Sequence, residues 1–364
     1  MKFIYDFARL PKDRELLIDI NSAAIRLFDK LRALDVEALD ISDYNKRYFG
    51  SKLVNLTASL QLYSYILAWS LADTNTSLNK FTFLDYGGGS GMLSLLAKEV
   101  NIGTVIYNDI YDVSCKDARV IAKSVGNEVD YYVNGDIDDV ISFLVNKNAK
   151  CDAIASYDVI EHIYDIEYFL RRLKHFPNGS LTVCMSSGVN IFNKRYTKEI
   201  MKKQYEIEHH DMEREFGHKK RDSTRAYLRI RREMILEYTN KKLNENEVER
   251  LAVVTRGMMH SDILKCVNMY LKTKQFPKEL DHPTNTCDPY TGNWKEHLMN
   301  PYKLKDILSK ESFDVEILGG YYGSSKSIRK GVLVKSVNVA IYLLGKQGLF
   351  ITPFFTIYGK RNTI

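Results

Sequence analysis

The feature that most constrains this chain is a glycine-rich turn, residues 85–91 (DYGGGSG), placed between two segments of different periodicity. Residues 81–86 form an apolar, β-prone run, and residues 91–100 continue with the spacing of a helix. Glycines let a backbone turn tightly and approach a ligand, and a helix N-terminus presents unpaired N–H groups. The pattern therefore predicts a strand, a turn and a helix that together bind a ligand with a polar or negative group.

The spacing of these glycines excludes two common nucleotide-binding motifs. The dinucleotide fingerprint requires GxGxxG or GxGxxA, but its sixth position is Met92 when counted from Gly87 and Ser94 when counted from Gly89. No GK[ST] follows the turn, which excludes the phosphate-binding loop of P-loop NTPases. What remains is an acidic residue followed by alternate glycines: Asp85, Gly87, Gly89 and Gly91.

Strand-like and helical segments alternate through the middle of the chain, which predicts βαβ units and a parallel sheet. The predicted strands in this part are residues 81–86, 104–109, 129–133, 151–158 and 180–187. Before them we expect helices over residues 13–34 and 51–71, with Gly50 as a breaker. Near the end we expect helices over 302–312 and 326–344 and strands over 314–322 and 354–361.

Length and composition describe a folded protein of one large domain or two smaller ones. The 364 residues are 45% hydrophobic and 27% charged, which excludes wholesale disorder. Charge is uneven: residues 1–190 hold 20 basic and 25 acidic residues, residues 191–300 hold 22 and 17, and residues 301–364 hold 10 and 4. The second half is expected either to meet an anionic partner or to present solvated helix faces.

Neither a secretory leader nor a membrane span is expected. The first 15 residues carry charges, and the apolar run at 337–344 is far shorter than the roughly 20 residues that a span requires. Five widely spaced cysteines without a CxxC pair argue against a disulfide framework or a zinc ribbon. The expected compartment is the reducing cytoplasm.

Asp85 and the alternate glycines resemble motif I of the class I S-adenosylmethionine-dependent methyltransferases. Asp109 ends the second predicted strand, and the sequence GDI, with Asp136 and Ile137, follows the third. The fourth runs into SYDVIEHI, which resembles the D-x-x-E-H-I stretch of a group that includes quinone-biosynthesis and sugar O-methyltransferases. The resemblance covers residues 80–188, and more loosely 302–361.

The resemblance implies a Rossmann-like α/β fold with a seven-stranded, mostly parallel sheet in the order 3-2-1-4-5-7-6. It divides the chain into a helical N-terminal cap (1–79), a cofactor-binding core (80–188), a helical insertion (189–300) and a C-terminal completion of the core (301–364). The implied cofactor is S-adenosyl-L-methionine, bound by Asp85, Gly87, Gly89, Gly91, Asp109, Asp136, Ile137, Tyr157 and Asp158. The resemblance implies that Asp109 accepts hydrogen bonds from the ribose and that Asp136 lies near the adenine. The alternative for Asp109 is a helix N-cap, and the alternative for Asp136 is an ordinary turn residue.

Candidate catalytic and acceptor-binding residues are spread more widely. Glu161 and His162 are the catalytic candidates, with bracing of the fourth strand as the alternative. The candidates for acceptor binding are Tyr44, Tyr48, His210, Arg221 and Arg225. The cluster His209, His210, Glu213 and His218 suggests a base or a metal site, but without an HExxH pattern no metal is expected. The basic stripe of Lys220, Arg221, Arg225, Arg229 and Arg232 either binds an anion or is a solvated face.

The function predicted from these features is O-methylation of a sugar, a nucleotide-sugar or a glycan precursor in carbohydrate biosynthesis, with a small-molecule or glycan acceptor that carries negative charge. The alternatives are methylation of an isoprenoid or aromatic molecule, and a non-catalytic partner protein that binds the cofactor. No nucleic-acid acceptor is expected, because no NPPY or DPPY tetrapeptide occurs. The basic segment 324–348 is predicted to cover a sheet edge, to form a homodimer or to lie on a membrane surface.

Overall fold

The structure is a computed structural model that describes residues 2–5, 8–72, 74, 76–177, 179–213, 222–278, 284–323 and 328–361. The chain divides into two compact units. The first comprises Met1–Ile160, Glu167–Asn190 and Asn300–Ile364, and the second comprises Glu161–Ile166 and Ile191–Met299.

A seven-stranded sheet forms the centre of the first unit. Its strands are β1 (Thr82–Tyr86), β2 (Thr104–Asp109), β3 (Tyr131–Asn134), β4 (Ala153–Tyr157), β5 (Leu181–Ser187), β6 (Asp314–Gly319) and β7 (Phe355–Arg361). Their order is β3-β2-β1-β4-β5-β7-β6, and only β7 runs antiparallel to its neighbours. The predicted fold class and strand order are confirmed. Asp85 lies opposite Tyr107 of β2 and Ala155 of β4, so the carboxyl ends of these strands share one edge.

Helices flank this sheet and build the second unit. Those of the first unit include α1 (Arg14–Arg32), α2 (Asp43–Val54), α3 (Leu56–Ser70), α4 (Met92–Glu99), α5 (Asp112–Val125), α6 (Ile137–Asn146), α7 (Ile166–Arg172), α12 (Pro301–Lys310) and α13 (Ile328–Leu344). Ile166, the first residue of α7, falls in the second unit. The other helices of the second unit are α8 (Lys194–His209), α9 (Tyr227–Tyr238), α10 (Glu245–Val254) and α11 (His260–Thr273).

The N-terminal helices are part of the core of the first unit. Helix α3 is apolar on nearly every side and contacts β4, β5 and α1, as expected for a helix enclosed on all faces. The Cys184 thiol of β5 lies 3.5 Å from the Ile66 carbonyl of α3. Helix α1 buries a stripe that includes Ile20 and Leu27, and the Asp13 side chain caps its first turn. Because α3 lies against the sheet and also contacts α2, it holds α2 near the sheet.

The expectation that Gly50 interrupts the N-terminal helices is wrong. Gly50 lies inside α2, and the break falls at Asn55, which separates α2 from α3. One glycine costs a helix only about 1 kcal/mol, so the Ser42 cap and the packing of α2 outweigh it.

The second unit has its own apolar core, formed by α8 to α11. Ile230, Ile235, Leu251, Ile263 and Val267 are fully buried there. The described cysteines form no disulfide bond with one another, and Cys151 and Cys184 are fully buried in the first unit. In the described parts of the chain, no helix has both the length and the apolar content needed to cross a membrane.

Candidate functional site

The glycine turn between β1 and α4 has a backbone that side chains would not tolerate. Gly87, Gly89 and Gly91 have φ values of +69°, +55° and +78°, in the left-handed region that favours glycine. A Cβ atom at Gly87 would lie 2.7 Å from the Val159 side chain, and one at Gly89 would lie 3.2 Å from the Tyr48 ring. The turn thus forms a cradle of bare backbone, which fits the close approach of a nucleoside cofactor.

Asp85 stabilises this turn from within. Its buried carboxylate accepts hydrogen bonds from the Ser94 N–H at 3.0 Å and the Ser94 hydroxyl at 2.7 Å, at the first turn of α4. This satisfies one of the N–H groups that a helix start leaves unpaired. Burial raises the pKa of Asp85 to about 7, although the two hydrogen bonds oppose the shift. Asp85 therefore holds α4 against the end of β1.

Asp109 connects the end of β2 to the same turn. Its carboxylate accepts hydrogen bonds from the Gly89 N–H at 3.1 Å and from the Tyr111 N–H at 2.9 Å. The Tyr107 hydroxyl donates to the Gly89 carbonyl at 2.6 Å, so β2 holds Gly89 through both polar groups of its backbone. The sequence placed Asp109 correctly at the end of β2, next to the glycine turn.

Asp136 and Ile137 lie after β3, where α6 begins. The Asp136 side chain accepts from the N–H groups of Asp138 and Asp139, so it is the N-cap of α6, while Ile137 is buried. Asp138 in turn accepts from Arg172 and from Tyr168, both at 2.6 Å. Asp136 is therefore a helix cap. Because Asn134 of β3 lies opposite Asp109 of β2, the turn that holds Asp136 is at the same edge of the sheet as Asp109.

Helix α2 places aromatic side chains next to the glycine turn. Its N-terminus is fastened to α5 by Asp117, whose Oδ2 accepts from the Ser42 N–H and hydroxyl and from the Asn45 amide, at 3.1, 2.5 and 2.7 Å. Tyr48 then lies against Gly89, with Tyr44 stacked on it at 6.0 Å. Burial, with Tyr44 and nearby carboxylates adding to it, raises the pKa of Tyr48, so its hydroxyl stays neutral.

Lys52 is a residue of this site that sequence reasoning missed. Its Nζ lies 5.3 Å from the centre of the Tyr48 ring and 5.7 Å from that of Tyr157. Burial lowers the pKa of this ammonium group, and Asp158 partly offsets the shift. Among the described residues, none forms an ion pair with it. Tyr44, Tyr48 and Lys52 are spaced at i, i+4 and i+8, a helical pattern that marks one face and could have revealed it.

Tyr157 and Asp158 end β4 at the same edge of the sheet. The Tyr157 ring meets the edge of Tyr63 at 6.4 Å, a second tyrosine that the sequence analysis did not select. Asp158 has a φ of +53°, and its carboxylate accepts from the Gly188 N–H at 3.2 Å, which joins the turns after β4 and β5. The structure thus brings Tyr48, Asp85, Asp109, Tyr157 and Asp158 together within the first unit.

Glu161 and His162 belong to the second unit. The Glu161 carbonyl accepts from the His297 N–H at 3.1 Å, and His162 Nδ1 lies 2.9 Å from the Trp294 carbonyl. A carbonyl can only accept, so in the neutral imidazole Nδ1 carries the proton and Nε2 has the lone pair. These contacts fasten the segment 161–166 to the end of the insertion.

The charged cluster of the insertion is largely paired within the second unit. Arg229 pairs with Asp211 at 2.9 Å and with Glu233 at 3.4 Å, and Arg225 also pairs with Glu233. His209 and His210 are exposed beside Tyr205.

Part of this cluster lies outside the described residues. Arg221, His218 and Lys220 lie outside the described residues. Within the described ranges, no group of three acidic, histidine or cysteine side chains is arranged to hold a metal ion.

Comparison with known proteins finds a similarity in the central part of the chain. Residues 84–183 match the model of a family described as a methyltransferase domain. This match runs from within β1 to within β5 and includes Asp85, Asp109 and Asp158. The strand order is the one that the resemblance implied. Residues 84–183 are therefore similar to a methyltransferase domain, as the resemblance of the glycine turn implied.

No curated protein matches the sequence. Solved structures that resemble the fold include the plantazolicin methyltransferase BamL in complex with a triazolic desmethylPZN analogue and SAH, at 10% identity over 94% of this chain and 98% of that one, with a TM-score of 0.42. A SAM-dependent methyltransferase from Archaeoglobus fulgidus is 16% identical over 86% and 99%, with a TM-score of 0.39. The [4+2]-cyclase SpnF is 11% identical over 84% and 81%, with a TM-score of 0.36.

Proposed function

We propose that this protein transfers the methyl group of S-adenosylmethionine to a hydroxyl of a sugar, a nucleotide-sugar or a glycan precursor. The observation that carries the proposal is the combination, at one sheet edge, of the glycine cradle, the Asp109 carboxylate and a group of tyrosines. The cradle suits the cofactor, and stacked rings with neutral hydroxyls suit a hydroxylated ring as the acceptor.

In this proposal each residue at the edge has a defined task. Gly87 and Gly89 present bare backbone to the cofactor, and Asp109 accepts hydrogen bonds from its ribose. Asp136 and Ile137 border the adenine, and Tyr157 and Asp158 border the methionine end. The sulfonium of the bound cofactor supplies an already activated methyl group, so the main catalytic task of the chain is to position the acceptor and exclude water.

The acceptor hydroxyl must also lose its proton. The raised pKa of Tyr48 makes its phenol a hydrogen-bond donor and a poor base at neutral pH. His162 of the second unit stays the candidate base: in its neutral form Nδ1 donates to the Trp294 carbonyl, and the Nε2 lone pair can accept a proton. Glu161, the other catalytic candidate, belongs to the same segment and is buried.

The charge of the acceptor is a second element of the proposal. Lys52 offers an ammonium group without an ion-pair partner among the described residues, as an anionic acceptor requires. His210, Arg221 and Arg225 stay candidates for the same task, although Arg225 already pairs with Glu233.

We place this activity in the cytoplasm, with a homodimer as one arrangement of the protein.

Methylation of an isoprenoid or aromatic acceptor is the second candidate function. It is favoured by the apolar side chains that α13 leaves exposed, because a protein that acts on a lipid-soluble acceptor benefits from contact with an apolar phase.

The decisive experiment is mass spectrometry of reactions with methyl-labelled cofactor and two acceptor panels, one of sugars and nucleotide-sugars and one of isoprenoids and aromatic phenols. Labelled product from the first panel supports the proposal, and product from the second alone replaces it with the second candidate. Calorimetry with S-adenosylhomocysteine runs in parallel. Binding without turnover of either panel would indicate a non-catalytic partner protein.

Variants at the edge test the cofactor assignment. Asp109→Ala is expected to weaken S-adenosylhomocysteine binding by at least about tenfold, the effect of losing a hydrogen bond to a charged group. Asp112→Ala is the matched control, because Asp112 is exposed and pairs only with Lys116 on α5. Gly89→Val should block the cradle, whereas Gly50→Ala, with no atom within 4 Å, should not. Unchanged affinity in both site variants would refute the assignment.

A further inference from the structure

Helix α13 has an apolar face that the described residues of the first unit leave exposed. Val332, Ser336, Val339 and Leu343 follow one another at intervals of four, three and four residues, so they lie along one side of the helix. Leu343 is 76% exposed and Val332 is 62% exposed. Other exposed apolar side chains on this helix and on the turn after it are Leu333, Val339, Tyr342, Leu344 and Phe350.

The opposite side of α13 is held firmly by the first unit. The buried Asn338 side chain accepts from the Tyr322 N–H and donates to the Tyr322 carbonyl, both at 2.8 Å. Ile341 is also buried, beside Gly319 and Gly348. Apolar side chains lie on both sides of α13, but only one of these sides is enclosed. Its outward row is therefore a candidate contact surface.

The charge of this segment indicates what the surface meets. Residues 317–350, which include α13 and the turn after it, contain no acidic residue and five lysines and arginines. Lys335 and Lys346 are exposed beside the apolar row. A second copy of the chain would bring the same positive charge to the interface, and like charges oppose such pairing. The row also lies on the outside of a helix rather than in a groove, so it matches a soft surface better than a shaped protein partner.

We propose that the outer face of α13 binds the surface of an anionic membrane. In this arrangement Val332, Val339 and Leu343 enter the boundary between headgroups and acyl chains, Tyr342 lies at the headgroup level, and the lysines pair with anionic lipids. The helix has 17 residues, fewer than the roughly 20 that a span requires, and it is fastened along its other side, so it lies on the membrane. This surface does not depend on the methyl donor or on the identity of the acceptor.

Co-sedimentation of the full chain with vesicles tests the proposal. One set of vesicles is phosphatidylcholine alone, and the other contains about 30% phosphatidylserine. We expect the chain to bind the anionic vesicles at least tenfold better, and to lose most of this preference when the salt rises from about 0.1 M to about 0.5 M.

Two variants and one control give the test its specificity. Val339→Ser with Leu343→Ser is expected to lower the bound fraction on anionic vesicles at least tenfold, because it removes the apolar contact. Lys335→Glu with Lys346→Glu is expected to abolish the preference for phosphatidylserine. The control is Ile18→Ser with Val145→Ser, which changes two exposed apolar side chains on other helices and should leave binding unchanged. All these positions are exposed, so the midpoint of unfolding should not move.

Three results would overturn the proposal. The first is a wild-type chain that binds neither kind of vesicle. The second is equal loss of binding in the control and the α13 variants. The third is a dimer in solution that Val339→Ser with Leu343→Ser dissociates, since a second copy would then be the occupant of this face.

Discussion

Two buried carboxylates, one in each unit, show opposite electrostatics. Asp85 accepts hydrogen bonds from the N–H and hydroxyl of Ser94, and burial raises its pKa to about 7. Glu208 of α8 is also buried, but Arg231 pairs with it and Thr286 donates to it at 2.7 Å. Burial opposes ionisation there too, but the charges of Arg231 and Arg256 and the hydrogen bonds from Arg231 and Thr286 together outweigh it and lower the pKa of Glu208. Burial is common to both, so the partner decides the sign.

The same contrast separates the cations of the two units. Lys52 lies over two tyrosine rings beside the glycine turn without an ion-pair partner among the described residues, whereas Arg225 and Arg229 of the insertion already pair with acids. The insertion has the denser charge in the sequence, but the described arginines of its stripe pair with nearby acids. Incomplete charge pairing is the better indicator of a ligand site, because a ligand can complete it.

The largest effect on stability is expected at the buried ion pair of Glu208 and Arg231. Glu208→Gln leaves the fully buried Arg231 without its counter-charge, and we expect a loss of about 3–5 kcal/mol in unfolding free energy. Denaturant unfolding measures it. Glu208→Leu with Arg231→Met should recover most of the loss, since no buried charge remains. Unchanged stability in Glu208→Gln would show that this ion pair does not stabilise the fold.

Asp85 is expected to give stability a pH dependence opposite in sign to that of the ion-paired Glu208. Because the pKa of Asp85 is about 7 in the folded chain and near 4 when unfolded, the folded state holds more protons between these values. The contribution of Asp85 to stability therefore falls as pH rises from about 4 to 7, by up to about 4 kcal/mol.

Unfolding of Asp85→Asn across this pH range isolates the effect. The variant should show a flatter stability profile than the wild type, because the amide keeps an acceptor for Ser94 without titrating. Glu99→Gln is the contrasting control: although burial opposes it, hydrogen bonds from Lys30 and Arg26 lower the pKa of Glu99, so its contribution is lost as pH falls. Identical profiles in the wild type and Asp85→Asn would contradict the raised pKa.

Lys52→Met is expected to act on binding more than on folding. Removing a half-buried ammonium group relieves its desolvation, so stability should hold or rise. Affinity for the cofactor or for an anionic acceptor should fall by about tenfold, the effect of losing one charge-assisted contact. Calorimetry and acceptor KM measure this, with Lys46→Met on the same helix as the matched control. A loss of stability with unchanged affinity would make Lys52 a packing residue.

The smallest effect should come from the insertion stripe. Because Arg225 and Arg229 are already paired, Arg225→Gln with Arg229→Gln should change acceptor KM by no more than about twofold. Steady-state kinetics with an anionic and a neutral acceptor would detect more. A tenfold rise for the anionic acceptor alone would move the acceptor site to this stripe.

Much of the first unit follows from local pattern. The run at 104–109 and β2 coincide, and the alternation of strands and helices indicates parallel pairing because a short turn cannot join parallel strands. The glycine turn was predictable, since only glycine adopts its backbone without strain. Helix α2 was not: its sequence has few apolar residues, and it depends on Asp117, which follows Ser42 by 75 residues.

What the sequence determined alone is the local geometry: where strands end, where the backbone must turn left-handed, and which carboxylates follow each strand. These depend on sterics and periodicity within a few residues. The tertiary structure decided which charges are compensated, because an ion pair such as Glu208 with Arg231 joins residues far apart in the chain. It also decided that Lys52 lies beside the glycine turn and that one side of α13 stays uncovered, since burial is a property of the assembled fold.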